Sequence, residues 1–321
     1  MQTTLNSRYD DYDEIFAYTD TNDERLASLD DKSIIKYRVK TIKSGKVLES
    51  EVYPIWNTHK STSRARKIRE SRDTQKRLNE KNALKRIIRL VNANFTDDDI
   101  WCTFTYETAK LPKSVEDAEN EFVNFLRRLR YHGRKRGFPP LKYVFWTEFE
   151  DDEKKGKKRV HHHIVTNFPD RDLAEKLWRG GARKQTRRLQ SDENGYEGLV
   201  RYCMKDPKGK KRWKTSKNLR EPQITIADYK FTRKKVRQIV AGDISAVGVF
   251  ESMYKGYELL EAFTFTSEFV SGAYIYAKMT RRNYYGLSPN ITTKRRSNNA
   301  KNHKENSQKS RSAERRRGQA T

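Results

Sequence analysis

Arg159-Val160-His161-His162-His163-Ile164-Val165-Thr166 is the stretch whose reading decides the fold. Three of the chain's six histidines stand in a row there, inside a β-branched run. Side chains alternate faces along an extended strand, so His161 and His163 point one way and His162 the other. Two imidazoles on one face can share a divalent metal ion, because neutral imidazole is the commonest metal ligand. Taken alone, the three residues read first as a histidine cluster that caps a sheet or packs on an aromatic ring.

Upstream, Lys142-Tyr143-Val144-Phe145-Trp146-Thr147-Glu148-Phe149-Glu150 reads as a second strand. The charged link Asp151 to Lys158 contains Gly156, which suggests a hairpin. Glu148 could then stand across from the histidine pair. A carboxylate beside two imidazoles makes a facial set of three ligands with open positions, and open sites serve catalysis. Glu150 lies on the same face of an ideal strand and is a rival ligand. Downstream, Gly195 to Pro207 reads as a short helix stopped near the proline. Tyr202 and Lys205 are three apart on it and share a face. A tyrosine hydroxyl, with a pKa of about 10, is a poor nucleophile at neutral pH. A metal that polarises the electrophile and a nearby ammonium compensate for that.

His161-His162-His163, with Glu148 before it and Tyr202-x-x-Lys205 after it, resembles the HUH endonucleases, in particular rolling-circle replication initiators of plasmids and single-stranded DNA phages. Trp101-Cys102-Thr103-Phe104-Thr105-Tyr106 looks like the family's first motif, and the three motifs follow in the family's order. The middle position of the histidine motif is usually bulky and apolar; here it is His162, flanked by His161 and His163. The resemblance covers residues 95–240. It implies a divalent metal (Mg²⁺ or Mn²⁺) on His161, His163 and Glu148, with Tyr202 as nucleophile assisted by Lys205. The implied reaction is transesterification on single-stranded origin DNA, leaving a 5′-phosphotyrosyl bond and a free 3′-hydroxyl for rolling-circle replication. Two alternatives stand beside it. One is a transposase or relaxase with the same chemistry, although relaxases often carry a third, separate histidine and only His132 is available in this region. The other is a non-enzymatic basic protein that coats nucleic acid, which explains the charge but not the ordered motifs.

The rest of the chain fits a nucleic-acid partner. Among 321 residues, 69 Lys and Arg face 43 Asp and Glu, a formal net charge of +26. Such a balance suits a polyanion. No apolar run is long enough to span a membrane and the amino terminus lacks a signal-peptide pattern, so no membrane partner is expected and a cytoplasmic location is. The two cysteines, Cys102 and Cys203, make no disulfide framework, which fits a reducing compartment. The absence of Cys-x-x-Cys argues against a zinc finger. Without a phosphate-binding Gly-x-x-x-x-Gly-Lys-Ser/Thr loop the chain encodes no motor, so a host helicase and polymerase are expected partners.

Five regions are expected. Residues 1–33 form an acidic mobile segment. Residues 34–94 form a basic hairpin-plus-helix region, with strands Ile34–Val39 and Val47–Ile55 joined by Lys43-Ser44-Gly45-Lys46. A basic helix then runs over about 61–92, with Leu78, Leu84, Ile87, Ile88 and Val91 as its apolar stripe and cations, Arg89 among them, free to follow a phosphate backbone. The endonuclease domain spans 95–240. In it Ser114 caps a helix whose core stripe includes Phe122, Phe125 and Leu126, and Asp170 caps another that runs through Trp178. Arg183, Lys184, Lys210, Lys211, Arg212 and Trp213 are candidate DNA-binding residues, the cations for phosphates and the indole for a stacked base. Residues 241–280 are an accessory or sheet-completing region, and 281–321 a disordered basic tail. The fold class expected is α+β: a central antiparallel sheet carrying the His-x-His strand, with helices packed on one face.

Overall fold

The computed structural model describes residues 29, 32–57, 72–152, 157–181, 184–204, 213–267 and 270–282. All of these except Arg282 belong to one compact unit, Met1–Arg281. The class is α+β, as expected, with two antiparallel five-stranded sheets.

The histidine sheet has the order β6-β3-β5-β4-β7. Its strands are β3 (Ile100–Thr105), β4 (Tyr143–Asp152), β5 (Lys157–Thr166), β6 (Lys184–Arg188) and β7 (Trp213–Thr215). The histidine strand β5 is therefore central, paired with β3 on one side and β4 on the other. Its β-branched residues favour a pleated, half-buried surface. Phe104, Phe145 and Ile164 pack against Phe122, Phe125 and Leu126 of α2 (Val115–Lys135) and against Leu173 of α3 (Arg171–Leu177). Ser114 caps α2 by accepting from Asp117 N at 3.0 Å, and Asp170 caps α3 by accepting from Leu173 N at 2.9 Å.

Helices cover both faces of this sheet rather than one. Val144, Trp146 and Val165 point away from α2 and pack against Ile87, Ile88 and Val91 of α1 (Arg72–Asn94) and Val200 of α4 (Glu197–Cys203). The reason is legible in β4 and β5, which are apolar on alternate and intervening positions alike, so each face needs a cover.

The second sheet has the order β8-β1-β2-β10-β9. It joins the hairpin β1 (Ile34–Ser44) and β2 (Val47–Trp56) to β8 (Gln223–Ala227), β9 (Tyr257–Ser267) and β10 (Val270–Arg281). Between β1 and β2, Gly45 takes φ +61°, and a Cβ there would meet the Asn92 carbonyl oxygen at 2.2 Å. The turn thus requires glycine both for its backbone and for the approach of α1. One face of the sheet packs Val39, Val52, Ile275 and Met279 against Val236 and Ile239 of α5 (Arg233–Ala241) and Phe250 of α6 (Ala246–Met253). The other face is polar and meets α1. Arg89 donates to Glu49 at 2.6 Å and to Glu51 at 3.0 Å. So α1 turns its apolar stripe to the histidine sheet and Arg89 to the second sheet. Arg89 is thereby an internal ion-pair partner, not one of the cations expected along DNA, and Leu78, expected in the stripe, is exposed. Among the described residues no helix is long and apolar enough to cross a membrane.

Candidate metal centre

Register assembles the site. On β5, His161 stands opposite Glu148 of β4 and Thr105 of β3, while His163 stands opposite Trp146 and Thr103. Directly opposed residues share a face, so Glu148, His161 and His163 converge on the side toward α1 and α4. One ligand atom from each lies within 4.8 Å of the others, a spacing that could hold a metal ion. Glu148 Oε2 pairs with His161 Nε2 and lies 3.6 Å from His163 Nε2. The imidazoles of His161, first, and of His163 hold the Glu148 carboxyl well below the usual carboxylate range, outweighing partial burial.

The residues fit a metal on an observation of their own. His163 Nε2 is buried and has no hydrogen-bond partner among the described residues. A buried polar atom left in that state is costly. His163 Nδ1 lies 3.0 Å from Thr103 Oγ1. With a metal ion bound, the Nδ1 proton would be held by the hydroxyl and Nε2 would turn its lone pair to the ion between it, Glu148 and His161, the outer-partner arrangement of a metal-ligating histidine. Two imidazole nitrogens and a carboxylate oxygen form a three-ligand set suited to a divalent ion with open positions.

His162 does the opposite. It is fully buried on the α2 side, its ring stacked 4.3 Å from that of Phe122. Nε2 lies 2.9 Å from Tyr106 Oη and Nδ1 3.0 Å from Thr147 Oγ1. Burial, and then the neighbouring His161 and His163, pushes its pKa well below the ordinary value. It is a neutral core histidine with both nitrogens satisfied.

Tyr202 is beside the metal residues. Its ring is edge-on to His163 at 5.5 Å between centroids and edge-on to Trp101 at 6.2 Å, while the residue stays 46% exposed. Trp101 stacks on the His163 ring at 5.8 Å, 18° from parallel. Helix α4 ends at Cys203, short of Pro207, and Lys205 lies outside the described residues. Arg183, Lys210, Lys211 and Arg212 also lie outside them, as does the side chain of the rival ligand Glu150. Trp213 sits on β7 opposite Trp146, half-buried and packed onto the core that α1 completes. Lys184 pairs with Phe104 and so faces α2, away from the metal residues. Gln185 and Arg187, opposite Thr103 and Trp101, share the metal face and are exposed. The sequence placed Trp101 and Thr103 in the first motif without setting them beside the histidines, and did not single out Arg187. Alternation along β3 and β6 splits each strand into two sets, but only the register tells which set faces the histidines.

An antiparallel sheet therefore brings together Glu148, His161 and His163, which could hold a metal ion, with Tyr202 beside them. Residues 99–207, about a third of the chain, match the family model described as replication-associated protein ORF2. That span contains β3, the two strands that carry Glu148, His161 and His163, and helix α4 with Tyr202, and its similarity is to proteins of replication. No curated protein and no solved structure matches the chain.

Proposed function

We propose that this chain is a replication initiator of HUH type that nicks single-stranded origin DNA through Tyr202 and starts rolling-circle replication. The observation that carries the reading is the convergence of Glu148, His161 and His163 with the Tyr202 ring packed against His163. Tyr202 Oη attacks the scissile phosphorus. The new bond is tyrosyl oxygen to phosphorus, the bond to the 3′ oxygen breaks, and the phenol proton ends on the released 3′-hydroxyl. Glu148, His161 and His163 would hold a divalent ion, Mg²⁺ or Mn²⁺, which when bound would supply Lewis-acid polarisation of the scissile phosphate and offset its developing charge. Lys205 steadies that phosphate or lowers the tyrosine pKa. Attack by an incoming 3′-hydroxyl reverses the step and rejoins the strand without ATP. A host helicase unwinds the duplex and a host polymerase extends the freed 3′ end in the cytoplasm.

The test is covalent capture. Purified protein is mixed with single-stranded oligonucleotides tiled from its own replicon, with Mn²⁺ or EDTA, and run on a denaturing gel. A metal-dependent shifted band that disappears in Tyr202→Phe is expected. A band of wild-type intensity in Tyr202→Phe would remove the nucleophile from the scheme.

A further inference from the structure

Lys278 is out of place by its sequence neighbourhood. It lies in the middle of β10 among Ile275, Ala277 and Met279, and is only 6% exposed. A lysine so buried needs a charged partner. The partner is Glu197, the first residue of the tyrosine helix α4, itself held by Arg201 one turn on at 2.7 Å. Glu261 of β9 stands 3.9 Å from the same ammonium. Directly across the sheet from Lys278 is Glu49, which accepts from Arg89 of α1 and, at 2.8 Å, from Tyr276 Oη. One polar seam on the second sheet thus grips both helices that lie over the metal face of the first.

We infer that Lys278, through Glu197, is a positioning residue that sets where Tyr202 stands over the metal centre. The inference rests on Tyr202 being the nucleophile. Seven residues make a helix too short to hold itself in place, so tertiary anchors must orient it. Its entry is held by Asn92, whose Oδ1 accepts from Tyr196 N at 2.8 Å, and by Tyr196 Oη donating to Asp97 at 2.9 Å. Val200 packs it from below. These contacts fix its start and its depth, and the Glu197–Lys278 pair fixes its rotation. A buried ion pair adds little stability over a well-packed apolar pair, but its geometry is specific. The second sheet, remote in sequence from the metal motifs, is in this way part of the nicking machinery.

The experiment uses the full chain as Lys278→Met/Glu197→Met and, separately, as Glu197→Gln, each with fluorinated Tyr202 incorporated at that one position. The double variant removes both charges, so the seam is left with no unpaired member of the pair. Circular dichroism and thermal melting report folding, and Mn²⁺ titration reports the metal site. The expected result is a folded protein with wild-type Mn²⁺ affinity, unchanged KM for the oligonucleotide, and kcat for adduct formation lowered by about 10- to 100-fold, as for a misplaced reacting group. Paramagnetic broadening of the fluorine signal by bound Mn²⁺ should be altered in both variants, because the ring no longer holds one distance from the metal. Wild-type kcat and wild-type broadening in a folded variant overturn the inference. The fluorine signal needs no chemistry, so it judges the tether even where Tyr202→Phe still forms adduct and the nucleophile assignment fails.

Discussion

Replacing Thr103 with valine should weaken divalent-metal binding by about 10- to 100-fold, the usual effect of removing an outer partner of a ligating histidine. The Thr103 hydroxyl lies 3.0 Å from His163 Nδ1. Valine keeps the β-branched shape and the strand propensity but leaves that nitrogen without its partner. The ring stays stacked on Trp101, so its plane survives and the loss falls on the tautomer. A proton no longer anchored at Nδ1 can move to Nε2, and an Nε2–H imidazole cannot ligate. The expected loss equals about 1.4–2.7 kcal/mol, the scale of one buried polar group deprived of its hydrogen bond. Calorimetric titration of Mn²⁺ into metal-stripped protein measures it, with Thr103→Ser, which restores a hydroxyl, as the internal comparison. Unchanged Mn²⁺ affinity in the valine variant, with the fold intact by circular dichroism, would refute the assignment of Nε2 as the ligand atom held ready by Thr103.

Three further outcomes follow from named contacts. Arg89→Met strands the buried carboxylate of Glu49 and should cost about 3–5 kcal/mol in urea unfolding, whereas Arg89→Met/Glu49→Met should recover much of the loss. Arg187→Ala, on the metal face, should weaken single-stranded oligonucleotide binding and reduce the salt slope by about 1, while Lys184→Ala, on the opposite face, should change neither; fluorescence anisotropy across a salt series separates them. Burial raises the Glu197 pKa, but the charges of Lys278 and Arg201 outweigh it and leave the carboxyl below its ordinary value. The unfolded chain therefore takes up a proton first as pH falls, and stability present above the ordinary carboxylate range is lost progressively below it. Urea midpoints measured from neutral to acid pH should fall less steeply in Lys278→Met/Glu197→Met than in the parent.

Much of the site is legible in the amino-acid sequence, because it depends on a period of two within one strand. Alternation alone separates His161 and His163 from His162, and a short charged link makes β4 and β5 neighbours, which brings Glu148 across from His161. The core stripe of α2 and the caps at Ser114 and Asp170 are local in the same sense: each depends on residues within one or two turns. What needed the tertiary structure depends on pairing between distant segments. β8, β9 and β10 join β1 and β2 across more than 150 residues of chain, and no periodicity carries that information. Arg89 reads as one cation in a basic helix until the second sheet supplies Glu49 and Glu51, and Lys278 reads as an odd residue in a strand until α4 supplies Glu197. Which of Lys184 and Arg187 faces the metal residues was equally hidden, since a shift of register by one residue exchanges the two faces. Local pattern decided which side chains could stand together; long-range pairing decided which of them do.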